Sequence, residues 1–135
     1  MSRRADPAAA QDSLVRLTAI GLAAGRIAIG AGIWLAPVAA SRALGFGEPD
    51  SRTTTLSRLV AGRDLVLGTW QLATLGDRGS LRRVSAAAAA VDAGDTLAFA
   101  LAAATDGEAR GAGIRGFSVA LPAALAGAWL TNRVS

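Results

Sequence analysis

The stretch that decides how this chain folds is Leu56-Ser-Arg-Leu-Val-Ala61-Gly62-Arg63-Asp64-Leu-Val-Leu-Gly68-Thr-Trp70-Gln71-Leu-Ala-Thr-Leu75. Arg63 and Asp64 stand side by side in a run dominated by Leu, Val, Ala and Gly. If the run crosses a bilayer, two full charges lie inside hydrocarbon. Each then needs an opposite charge or a polar cavity, because an unpaired intramembrane ion costs several kcal/mol.

Working outward, three more apolar runs flank this one, over 17–40, 81–104 and 114–130. Charges gather at the ends of runs of roughly 17 to 24 residues, the length that a hydrocarbon core of ~30 Å requires. A water-soluble bundle would instead carry a charge every three or four residues along an outer face, and these runs have no such face. The pattern predicts an all-α, four-helix transmembrane bundle threaded up-down-up-down, with spans at about 14–40, 56–75, 81–104 and 114–130. Residues 1–13 read as a disordered cytosolic tail and 14–135 as a single membrane domain. Arg3, Arg4, Arg16, Arg78, Arg82, Arg83 and Arg133 fall on the side of the termini. That excess predicts both termini in the cytoplasm, and the expected location is the inner (plasma) membrane, as a multi-pass protein.

Composition narrows the chemistry. The 135 residues are 52% hydrophobic, with 16 glycines and a mean hydropathy of +0.39. Neither Cys nor His occurs, which excludes disulfides, thiolate and imidazole catalysis, and most zinc, copper and haem sites. No cofactor and no metal are expected. The net charge of +4 comes without a basic patch interleaved with aromatics, so nucleic acid is not an expected partner. The bilayer is, and basic loops suit its anionic lipids.

Gly21, Gly25, Ala28 and Gly32 recur at helical spacing and are expected to form a groove for close helix approach. Pro37 marks a kink or stop near the far end of the first run. Counting 1.5 Å per residue from each run's entry point puts Arg26, Arg63, Asp64, Asp92 and Asp95 at one depth, about 12 to 19 Å from the cytoplasmic face. Two arginines then meet three aspartates, and the cluster is neutral if one carboxyl holds a proton. Asp92 and Asp95 lie three residues apart on one helix face, where two like charges resist joint ionisation, so a proton shared between them is expected.

Asp64, Asp92 and Asp95 are therefore the candidate acid/base groups, with Arg26, Arg63, Gln71 and Trp70 as candidate substrate-binding residues. The cluster reads as a polar pocket that binds a lipophilic molecule or acid-catalyses a change in it. The alternatives are a small transporter or proton relay, assembled as a homo-oligomer, and an accessory subunit without chemistry. Asp92-x-x-Asp95 lacks the further aspartates of prenyl-transfer enzymes, because Phe99 stands where one pattern places the next carboxylate. Arg26 occupies the helix in which small four-span exporters carry a glutamate.

Gly62-Arg63-Asp64 followed by Gly68, with Asp92-x-x-Asp95 on the next helix, resembles a family of small four-span bacterial, chiefly actinobacterial, membrane proteins of unknown function. The resemblance covers about 17–130. It implies an integral membrane helical bundle and brings no activity with it.

Overall fold

The computed structural model describes residues 7–134, and these form five helices with no strand. They are α1 (Pro7–Leu35), α2 (Pro37–Leu44), α3 (Ser51–Ala73), α4 (Arg78–Thr105) and α5 (Arg110–Arg133). The tail expected over 1–13 is helical from Pro7 onward, and its first six residues lie outside the described residues.

The first run is not one helix to residue 40. Proline lacks an N–H and its ring pushes the preceding residue out of the helical region. Ala36 accordingly takes φ −135 and ψ 62, and Pro37 opens α2 at its first turn. Helix α2 ends in a Schellman turn: Gly45 sits at φ 88, its N–H reaches the Arg42 carbonyl at 3.0 Å, and the Phe46 N–H reaches Ser41 at 3.0 Å. Only glycine enters that left-handed geometry freely.

Asp50 caps α3 by accepting a hydrogen bond from the Thr53 N–H at 2.7 Å, and this bond holds its carboxyl below the ordinary carboxylate range. A carboxylate whose folded value is depressed stabilises fully above its unfolded value and loses that contribution as pH falls through the folded one. Asp50→Ala is therefore expected to melt below the parent at neutral pH, with the two melting curves converging on acidification.

Helix α1 packs along α3, and α4 along α5, while α3 touches α4 only lightly. The facing positions run in opposite directions within each pair. Gly30 meets Ala61 and Leu65 while Gly68 meets Ala23 and Ile27; Gly113 meets Ala103 while Gly127 meets Ala89. The buried stripe of α1 is Ala19, Ala23, Arg26 and Gly30. It is not the expected groove: nothing lies within 4 Å of a Cβ built on Gly21, Gly25 or Gly32, which face outward. Both stripes have helical spacing, and the large residues of α3 had to choose between them.

The interior is a small apolar core, Ala19, Leu67, Leu81, Val84 and Leu130, shared with buried polar side chains, while many large apolar side chains lie outside. Its four largest fully buried side chains are Leu130, Gln71, Val84 and Ser85, two of them polar. Large apolar side chains such as Leu17, Leu35, Leu59, Val66, Leu97 and Leu125 lie more than half exposed on the outside. Water penalises such a surface and hydrocarbon does not. Helices α1, α4 and α5 are long and apolar enough to cross a membrane. Helix α3 falls outside that set because its last eighteen residues carry Arg58, Arg63 and Asp64. The structure thus gives three candidate spans where the sequence suggests four.

Candidate functional site

The light contact between the α1–α3 and α4–α5 pairs is where the polar side chains collect. Arg26 projects from α1 among alanines and is 7% exposed; Asp92, from α4, is 6% exposed. The Arg26 guanidinium donates through Nη2 to the Asp92 carboxylate, and also to the Ala88 carbonyl at 3.3 Å. Ala88 lies one turn before Asp92, so one arginine spans a full turn of the facing helix.

One turn further along the seam, Arg63 of α3 grips Asp95 with two N–H groups, Nη1 to Oδ1 at 3.2 Å and Nη2 to Oδ2 at 2.7 Å. The planar guanidinium matches a carboxylate in this two-pronged way and lysine does not. The remaining donors reach Asp64 Oδ1, at 3.2 Å from both Nε and Nη2. On the other side of Arg26, the Gln71 amide lies 3.5 Å from the Ser85 hydroxyl. Two buried polar atoms have no partner among the described residues, Arg26 Nε and Gln71 Oε1. Unpaired buried groups carry a desolvation penalty.

The structure therefore brings together Arg26, Arg63, Asp64, Asp92 and Asp95, and sets the buried Gln71 against Ser85. Trp70 is elsewhere: it points outward from α3, 46% exposed, beside Val66 and Ala73. Asp92 and Asp95 bind different arginines on different helices, and no hydrogen bond joins them. A three-residue step on a helix leaves two side chains about 60° apart. That angle sends one carboxyl toward α1 and the other toward α3, so the expected shared proton has no contact to hold it. Ser85 and the Ala88 carbonyl were not legible as partners, although Ser85 lies two turns before Asp92 on the same face.

The network is sealed at one end and open at the other. The Arg26 and Asp92 side chains are 8% and 9% exposed, whereas those of Arg63 and Asp95 are both 33% exposed. Ionised in full, it holds one more carboxylate than guanidinium.

Comparison with protein-family models, with curated proteins and with solved structures finds no match for this chain. Fold and site define the class by themselves. This is a small all-helical protein of membrane type, with an apolar exterior and a buried Arg26–Asp92 ion pair where its helix pairs meet.

Proposed function

We propose that the protein is a multi-pass protein of the inner membrane, with α1, α3, α4 and α5 as four spans and both termini cytoplasmic. Its Arg/Asp seam receives the polar end of a lipophilic molecule from the side. The observation that carries this reading is the part-open Arg63–Asp95 pair on an otherwise apolar flank. Helical spacing puts Arg63, Val66 and Trp70 on one stripe of α3. A polar head at Arg63 and Asp95 would thus leave its chain lying along Val66 and Trp70. The excess carboxylate favours a head that donates hydrogen bonds or carries positive charge, such as a long-chain alcohol or amine, over a fatty acid. In this setting Asp64, the carboxyl held only by the leftover donors of Arg63, is the acid/base group, and α3 crosses the membrane with Arg63 and Asp64 paired inside and Arg58 near its end.

A second reading has an observation of its own. Both arginines and all three aspartates of the network are directly paired, as in a lock that fixes helix register without chemistry.

One titration separates the two. Trp70 is kept as the sole tryptophan in a Trp34→Phe/Trp129→Phe background, and dodecylamine, dodecanol or dodecanoate is added to the protein in nanodiscs. Saturable emission shifts with the amine and alcohol, weak with the carboxylate and reduced by Asp95→Asn, are the expected result. Identical responses to all three chains, or one unaffected by Asp95→Asn, would leave only the register lock.

A further inference from the structure

We propose that the cleft at the end where α1 begins and α5 finishes is a binding site for the phosphodiester headgroup of an anionic phospholipid. This site is separate from the Arg/Asp seam, and it rests on the membrane reading only for its setting. The cleft has a volume of about 190 Å³ and lies between the start of α1, the α3–α4 turn and the chain's last described residue. Leu75, Leu81 and Val134 form its apolar floor, and Arg16 and Arg78 stand in its wall. Asp12 is the one acidic lining residue, and it holds the Arg78 guanidinium at 2.9 Å. Both members of that pair are about two-thirds exposed, at 66% and 64%, so a phosphate can displace the carboxylate without uncovering a buried charge. The Arg16 side chain makes no hydrogen bond or ion pair among the described residues.

The charge around the cleft points to an anion. At this end Arg16, Arg78, Arg82, Arg83 and Arg133 face only Asp12 and Asp77 among the described residues. At the opposite end Arg42, Arg52, Arg58, Arg110 and Arg115 are offset by Glu48, Asp50, Asp106 and Glu108. Engagement is alike at the two ends: Arg42 pairs with Glu48, and Arg58 and Arg110 donate to the Trp34 and Ala103 carbonyls, while at the cleft end Arg78 pairs with Asp12, Arg83 donates to the Ser80 hydroxyl at 3.1 Å and Arg133 lies over the Trp129 ring. The difference lies in the acidic residues present. A guanidinium offers a phosphate two parallel donors, and basic pockets between helices on the cytoplasmic side suit anionic headgroups. Leu14 and Leu17, exposed on either side of Arg16 in sequence, provide apolar surface for the acyl chains of a lipid so placed. A free phosphate ion would make no use of them.

The test is native mass spectrometry of the full chain in mild detergent, with phosphatidylglycerol or phosphatidylcholine of identical chains. Retention of phosphatidylglycerol about tenfold above phosphatidylcholine is expected, falling to near parity in Arg16→Gln/Arg78→Gln. Arg52→Gln/Arg110→Gln, at the opposite end, should leave the preference intact, and Asp12→Asn should raise it. Equal retention of the two lipids by the parent, or a preference untouched by Arg16→Gln/Arg78→Gln, would overturn the assignment. So would displacement of phosphatidylglycerol by millimolar inorganic phosphate, which would make the free ion the ligand. Alkaline carbonate washing of membranes tests the setting separately. Release by carbonate sinks the membrane reading, whereas a carbonate-resistant protein that shows no lipid preference sinks this site alone.

Discussion

Asp92→Leu unfolds the protein at a markedly lower denaturant concentration, with a loss of about 3–5 kcal/mol, the scale for removing one partner of a buried ion pair. The reason lies in what the substitution leaves behind. Arg26 is 7% exposed, its Nε already lacks a partner, and without Asp92 its remaining hydrogen bond goes to the Ala88 carbonyl alone. The buried guanidinium then has no carboxylate bonded to it, and Asp64 acts on it only through space. Arg26→Met/Asp92→Leu removes both charges and should recover most of the loss, because a packed apolar pair often equals or exceeds a buried ion pair in stability. Asp77→Asn is the control. Asp77 lies in the α3–α4 turn, accepting from the Gly79 N–H at 3.0 Å on the exposed surface, and its replacement should be far milder. Steric-trap or denaturant unfolding in micelles reads all of these variants. A double variant as unstable as Asp92→Leu would mean that the pair acts through something other than charge compensation.

The second large effect comes from glycine rather than charge. A Cβ on Gly113 would lie 2.6 Å from the Ala103 backbone nitrogen and 2.8 Å from the Phe99 carbonyl oxygen. A Cβ on Gly30 would lie 2.8 Å from the Ala61 carbonyl oxygen. These are backbone atoms and cannot turn aside, so α5 must lift from α4 and α1 from α3. Gly113→Ala and Gly30→Ala are each expected to cost about 1–3 kcal/mol as overpacking, more than any gain in helix propensity returns. Gly21→Ala and Gly25→Ala meet nothing within 4 Å and should be neutral or slightly stabilising. The same unfolding measurement orders all four. If Gly25→Ala proved as damaging as Gly30→Ala, the buried face of α1 would be the Gly21–Gly25 stripe after all.

These two results bear on different levels of the fold. The glycine contacts hold each helix pair together by close backbone approach. The Arg/Asp network ties one pair to the other alongside an apolar cluster of Ala19, Leu67, Leu81, Val84 and Leu130 that draws on all four long helices. Long side chains bridge the gap: Arg26 reaches Asp92, Arg63 reaches Asp95, and Gln71 approaches Ser85.

The residues alone pointed to an all-helical chain with apolar outer faces, because long runs of Ala, Leu and Gly free of strand-type alternation satisfy their backbone within helices. They also placed Arg26, Arg63, Asp64, Asp92 and Asp95 at one level, since rise per residue is fixed once the ends of each run are known. Only the tertiary structure decided which arginine took which aspartate, that α1 turned Ala19, Ala23 and Gly30 inward instead of Gly21 and Gly25, and that Trp70 faced out. Depth is a one-dimensional quantity, set by counting along a helix. Partner choice depends on how each helix is rotated about its axis. Two small-residue stripes on one helix are equivalent until another helix has settled against one of them.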